Sequence, residues 1–116
     1  MVDKVKIRHG QKWVTTSKTD ILSDVPAGKV RYIVKVITTG DQQATRVLNL
    51  YWKDRGGTYH PFILNINVAA PEKKEIPEGG IDLKSPILGL EVGENIAGEV
   101  SGNSLSVTVL YWDDVG

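Results

Sequence analysis

The two histidines are the residues best suited to acid–base or metal chemistry, and their surroundings support neither. His9 lies near the N-terminus and His60 near the middle of the chain. The sequence contains no His-x-His pair, no His-Glu-x-x-His motif and no cysteine, so the usual ligand spacings of a metal site are absent. We therefore predict no bound metal and no cofactor, and we interpret both histidines as surface or turn residues.

The carboxylates and serines do not form a recognisable catalytic group either. Asp113 and Asp114 are adjacent, and neighbours in a strand point to opposite faces, so the two cannot share a proton across one cleft. We expect both to be solvated near the C-terminus. No Gly-x-Ser-x-Gly motif occurs, and the Gly56-Gly57 turn lacks the Lys-Ser/Thr of a phosphate loop. The sequence therefore predicts that the protein is not an enzyme.

Aromatic residues remain as candidates for a binding surface. Trp52 and Trp112 each end an apolar run, which favours a place in the core. Trp13 stands among polar residues, and three more candidates flank a glycine-rich turn, where an ordinary hairpin tip is the alternative interpretation. The candidate interaction surface consists of Trp13, Arg55, Tyr59 and His60.

The elements that must position these residues are strands, because the dominant hydrophobic period is two. The clearest runs are 29–39, 45–52, 62–68 and 105–112, and shorter strands are predicted at 5–8, 12–16, 73–76, 87–90 and 95–100. Within 62–68, the residues Phe62, Leu64, Ile66 and Val68 should share one face. A helical turn at 19–23 is the one helical candidate. The chain reads as one domain over residues 1–116, an all-β antiparallel sandwich of jelly-roll-like form with about eight short strands.

A short motif occurs twice. Residues 50–54 read Leu-Tyr-Trp-Lys-Asp, and residues 110–114 read Leu-Tyr-Trp-Asp-Asp. Two similar halves are what a double Greek key would produce, with each aromatic pair closing the core at the end of a strand. Chance similarity of two strand ends is the alternative.

Charge and composition exclude several classes of function. Lysine plus arginine and aspartate plus glutamate both number 14, so the net charge is zero and a nucleic-acid partner is not expected. We predict no membrane partner, because no apolar run is long enough for a transmembrane segment and none resembles a signal peptide. A neutral protein lacks the self-repulsion that keeps copies apart, which is consistent with assembly.

Two segments resemble those of small structural proteins of phages and archaeal viruses. One is Val-Pro-Ala-Gly-Lys-Val at 25–30, followed by the β-branched run 33–39. The other is Leu-Glu-Val-Gly-Glu-Asn-Ile at 90–96, followed by the glycine hairpin and Ser-Val-Thr-Val at 101–109. The resemblance extends over about residues 22–112.

This resemblance implies a jelly-roll subunit of a virion, either a capsid, decoration or turret-type protein, which is assembled in the host cytoplasm. Its partners would be copies of itself in a homo-oligomer, or a coat-protein lattice, bound through protein–protein contacts. Residues 1–12 would serve as an N-terminal arm or an edge strand. The alternative function is a carbohydrate-binding module that uses exposed aromatic residues.

Overall fold

The structure is a computed structural model that describes residues 6–39, 45–69, 72–79, 85–102 and 104–115. Within these ranges the chain forms nine strands and no helix. The strands are β1 (Arg8–Val14), β2 (Thr19–Asp20), β3 (Lys29–Thr39), β4 (Arg46–Lys53), β5 (Tyr59–Val68), β6 (Lys73–Ile76), β7 (Leu88–Leu90), β8 (Asn95–Val100) and β9 (Leu105–Val115). The helical turn predicted at 19–23 is wrong, because β2 occupies its start and pairs with β8.

The nine strands form two antiparallel sheets. The five-stranded sheet has the order β1-β9-β3-β6, and β7 pairs with β3. The four-stranded sheet has the order β2-β8-β4-β5. Both β6 and β7 pair with β3, which pairs along its other edge with β9. Without the short β7 this is the strand order of a jelly roll, so the predicted all-β sandwich is confirmed.

The core lies between the two sheets and is filled by aliphatic side chains. In β9, Leu105, Val107 and Val109 are buried while Ser106 and Thr108 are not, which is the period-two pattern that the sequence predicts. The other sheet contributes Leu48, Leu50, Ile66, Val68 and Ile96. These side chains pack against one another, so the described interior is a solid core.

Strand β1 differs from the prediction of two separate strands at 5–8 and 12–16. It runs without a register shift from Arg8, opposite Tyr111, to Val14, opposite Leu105. A Cβ atom on Gly10 would lie 2.4 Å from Cδ2 of Leu22. Gly10 therefore leaves room for the end of the Leu22 side chain and does not mark a turn.

Strand β5 breaks the alternation that was predicted for it. Ile66 and Val68 are buried, but Leu64 is 46% exposed, so its predicted place on the core face is wrong. The register between β4 and β5 shifts twice, and Asn65 adopts a left-handed φ of 62° with its backbone N–H bound to Oδ1 of Asn49. These irregularities turn Leu64 outward.

The two Leu-Tyr-Trp motifs are out of phase with each other. In β4 it is Trp52 that packs against the core, whereas in β9 it is Tyr111. Trp112 lies on the outer face, with its ring centroid 4.7 Å from that of Tyr32, its partner across β3. The predicted equivalence of the two motifs is therefore wrong, because the tryptophan of the first motif and the tyrosine of the second face the core.

Candidate interaction surface

Trp13 lies on the edge strand of the five-stranded sheet and is 61% exposed. Its neighbour Val14 is buried, so alternation along β1 directs Trp13 to the outer face. The cross-strand partner of Trp13 is Ser106, whose hydroxyl accepts a hydrogen bond of 2.9 Å from the side chain of Gln11. The indole is thus a large apolar ring on a polar strand, which is the setting that its flanking residues suggested.

His60 lies near the start of β5, opposite Trp52 of β4. Its Nε2 lies 2.8 Å from Oδ2 of Asp54, and its ring stacks on Trp52 with centroids 4.3 Å apart. The other oxygen of Asp54 accepts the backbone N–H of Thr58 at 3.0 Å. The hydrogen bonds from His60 and Thr58 lower the pKa of Asp54 below its ordinary value. His60 therefore holds the turn in place.

Arg55 and Tyr59 stand on the same hairpin and point into different surroundings. Arg55 is exposed, and its stem lies against Gly93, where a Cβ atom would come within 3.1 Å of the arginine Cγ. The hydroxyl of Tyr59 donates to Oδ1 of Asp20 at 3.0 Å, and Lys53 binds the other oxygen of Asp20 at 2.5 Å. Burial and the bond to Asp20 raise the pKa of Tyr59, and the bond to Asp20 also raises the pKa of Lys53.

A second tyrosine extends this polar group across the outer face of the four-stranded sheet. The hydroxyl of Tyr51 donates to Oε1 of Glu99 at 3.0 Å, and its ring meets that of Tyr59 edge to face at 6.4 Å. The ammonium of Lys18 lies 5.0 Å from the centroid of the Tyr51 ring. Burial and Glu99 raise the pKa of Tyr51. No local sequence pattern indicates this group, because its members come from four separate segments.

The four candidate residues do not form one surface. Arg55, Tyr59 and His60 share the hairpin at one end of the four-stranded sheet. Trp13 lies in the other sheet, opposite the start of β9. The hairpin lies at the opposite end of the sandwich, near the end of β9. Arg55 contacts Gly93, and the N–H of Gly93 donates to the carbonyl of Val25, shortly before β3 begins. The start of β3 pairs with the end of β9.

Two buried cations, Arg31 and Lys35, were not predicted from the sequence. Arg31 is 3% exposed and forms a two-pronged ion pair with Asp113, its Nε lying 2.8 Å from Oδ1 and its Nη2 3.2 Å from Oδ2. Asp113 is therefore not a freely solvated carboxylate, contrary to our expectation. Lys35 is also 3% exposed and binds Glu75 at 2.8 Å together with the carbonyl of Gly79.

Two open clefts lie near the loops of the described chain. One of about 370 Å³ is lined mainly by charged residues around β6, and another of about 230 Å³ lies between Lys29, Arg55 and Glu91. Among the described residues, histidines and carboxylates form no group of three that could hold a metal ion. The described chain also has no helix long and apolar enough to cross a membrane.

Known proteins similar to this chain are distant. No family model and no curated protein matches it. A chain from the structure of infectious bursal disease virus Gx strain superposes with a TM-score of 0.49 at 12% identity, over 97% of this chain and 32% of the viral chain. A chain of the T13 IBDV viral particle gives a TM-score of 0.49 at 10% identity, over 97% and 36% of the two chains.

A chain from the structure of the Gt strain of the same virus gives a TM-score of 0.44 at 9% identity, over 98% of this chain and 34% of that one. This protein thus spans about a third of the length of the viral chains that it matches. The strand order describes its architecture more closely than these distant similarities do.

Proposed function

We propose that this protein is a non-enzymatic structural subunit that acts through protein–protein contacts, as a decoration or minor structural protein of a virion. The observation that carries the proposal is Trp13, which is 61% exposed on an edge strand. Tryptophan is among the residues most enriched at the energetic centres of protein interfaces. A partner that covers the Trp13 ring would bury a large apolar area and so contribute strongly to binding.

The fold supports the same proposal by analogy. Jelly rolls serve as viral capsid domains, as lectin domains and as cupins. Cupin chemistry needs an internal site, whereas the space between these two sheets is occupied by Leu48, Leu50, Ile96 and their aliphatic neighbours. A sandwich with a filled interior acts through its outer faces, edges and loops. Zero net charge favours association with copies of itself or with a coat lattice.

A carbohydrate-binding module is the second candidate function, and the outer face of the four-stranded sheet is the observation in its favour. Tyr51 and Tyr59 lie there beside the carboxylates of Asp20 and Glu99. Their rings are inclined by 74°, so they do not form a flat platform on which a sugar ring could stack. Both hydroxyls are already bound within the protein, and for this reason the carbohydrate function ranks second.

Light scattering over a range of protein concentrations tests the assembly function. We expect a defined oligomer whose dissociation constant rises by at least about tenfold in Trp13→Ala, because truncation of an interface centre removes more than ~1.4 kcal/mol. Leu64→Ala is the matched control, since Leu64 is also a large exposed apolar residue but lies on the other sheet. The dissociation constant of the Leu64→Ala oligomer should equal that of the wild type.

The carbohydrate alternative makes the opposite prediction. A protein that remains monomeric at every concentration, and that binds glycans in a manner abolished by Tyr51→Ala, would overturn the assembly function. An oligomer that is insensitive to Trp13→Ala would keep assembly and move the interface elsewhere.

A further inference from the structure

The edges of the two sheets are not equally open to another strand. Strand β1 presents seven residues in unbroken register with β9. The edge strand β5 carries Pro61 and two register shifts, and both features prevent regular pairing. The remaining edge strands β2, β6 and β7 have two, four and three residues. Within the described chain, β1 is thus the longest regular edge.

The side chains of β1 define what could pair with it. Arg8 and Lys12 are exposed and lie on the same side of the strand, with Leu22 packed against Gly10 between them. Trp13 lies on the opposite side. Neither Arg8 nor Lys12 forms an ion pair with another described residue, whereas the buried cations Arg31 and Lys35 both do.

We propose that the free edge of β1 binds an extended segment of a partner protein that carries two acidic side chains four residues apart. The acidic residues would face Arg8 and Lys12, and an apolar side chain on the other side of the segment would cover Trp13. Main-chain hydrogen bonds supply affinity in strand addition, and the side-chain pairs supply specificity. This inference rests on the proposed function, because it names the partner chemistry of the surface that contains Trp13.

The same charges argue against a second copy of β1 as the occupant. An antiparallel pair of β1 strands centred on Gly10 places Arg8 of each copy opposite Lys12 of the other. Like charges directly opposite each other destabilise a strand pair. In this register the edge therefore favours an acidic partner strand over a second copy of β1, and edge charges of this kind are also how natural sheets limit uncontrolled edge-to-edge association.

Fluorescence anisotropy with labelled peptides tests the inference. The probe is the extended peptide Val-Phe-Glu-Thr-Val-Thr-Glu, in which the phenylalanine would lie opposite Trp13 and the two glutamates opposite Lys12 and Arg8. A second peptide has lysine in place of both glutamates. Two further versions of the acidic peptide are N-methylated on alternate residues, so that one of them places its methyl groups against the edge of β1.

We expect the acidic peptide to bind at least about tenfold more tightly than the lysine peptide, because two attractive cross-strand pairs are replaced by two repulsive ones. One of the two N-methylated peptides should lose binding, which separates strand pairing from a simple ion pair. The charge reversal Arg8→Glu with Lys12→Glu should invert the preference between the two peptides. The matched control, Lys29→Glu with Lys74→Glu, changes net charge equally at exposed sites away from β1 and should keep it.

Three results would overturn the inference: equal binding of the acidic and lysine peptides, equal binding of both N-methylated versions and the parent, or an unchanged preference in the Arg8→Glu, Lys12→Glu variant. Circular dichroism establishes that each variant is folded. Failure here is distinct from failure of the proposed function. An oligomer that depends on Trp13 without acidic-peptide binding refutes only the strand addition, whereas a glycan-binding monomer refutes the assembly function itself.

Discussion

Breaking the ion pair between Arg31 and Asp113 should cost more stability than breaking any exposed charge pair of the described chain. Three donors of the Arg31 guanidinium are satisfied, since Nε and Nη2 bind the carboxylate of Asp113 and Nη1 binds the carbonyl of Ser23 at 2.7 Å. The guanidinium also lies 4.5 Å from the centroid of the Tyr111 ring. Asp113→Ala removes the carboxylate and leaves a buried cation with the Ser23 carbonyl and the ring.

The expected cost follows from the exposure of the two partners. Breaking a fully buried ion pair by removing one partner costs about 3–5 kcal/mol. The Arg31 side chain is 4% exposed but that of Asp113 is 19% exposed, so water can replace part of the lost interaction. We therefore expect Asp113→Ala to lower the free energy of unfolding by about 2–3 kcal/mol.

Thermal and urea unfolding followed by circular dichroism would measure this loss. At about 2.1 cal/mol/K per residue, the 116 residues have an unfolding entropy near 0.24 kcal/mol/K, which converts the loss into a fall in Tm of about 8–12 °C. The matched control is Asp114→Ala, because Asp114 is the adjacent and exposed carboxylate. Its effect should stay within about 0.5 kcal/mol.

A double substitution separates the loss of attraction from the burial of an unpaired charge. Arg31→Met with Asp113→Leu removes both charges and should recover most of the stability lost in Asp113→Ala. A value for Asp113→Ala within about 0.5 kcal/mol of the wild type would refute the reasoning, because it would mean that water already solvates the Arg31 guanidinium.

Three further predictions concern the backbone and pH. Gly10→Ala should destabilise the protein by about 1–3 kcal/mol in urea unfolding, because its Cβ would collide with Leu22, whereas Gly89→Ala meets only ordinary contacts and should not. Asn65→Ala should cost about 1–2 kcal/mol, since alanine disfavours the left-handed φ of 62°. The lysines beside Glu75 lower its pKa from the ordinary value of 4.5. The stability that Glu75 contributes is therefore present above pH 4.5 and is lost as the pH falls through the lowered pKa. Glu75→Gln should flatten this part of the curve of unfolding free energy against pH.

The regular strands follow from local sequence alone. The predicted bounds of β3, β6 and β8 agree with the structure, because glycine or proline lies close to both ends of each run. The errors at β1 and β5 arise because distant residues decide the outcome there. The presence of glycine at position 10 reflects the approach of Leu22, and the exposure of Leu64 results from the irregular pairing of β5 with β4. Neither contact has a local signal.

The candidate surface could also be predicted only where the local sequence decides the outcome. Polar neighbours correctly indicated that Trp13 is exposed, which is a property of its own strand. The group that joins Asp20, Tyr59 and Tyr51 was not predictable, because burial and pairing of polar residues depend on which segments the topology brings together. Asp113 shows the same limit, since its partner Arg31 is 82 positions away in the chain.

The combination of a regular edge, two exposed cations and an exposed indole distinguishes β1 from the other edges of the described chain. Folding pairs the charges that it buries, as in Arg31 with Asp113 and Lys35 with Glu75, because an unpaired buried charge is costly. Among the described residues, Arg8 and Lys12 have no such partner, although they stand on a regular edge next to the most exposed large aromatic ring of the described chain. Exposed charges need no partner for stability. An acidic strand from outside would nevertheless use the free backbone edge, both cations and the indole at once, and no other edge of the described chain offers all of these together.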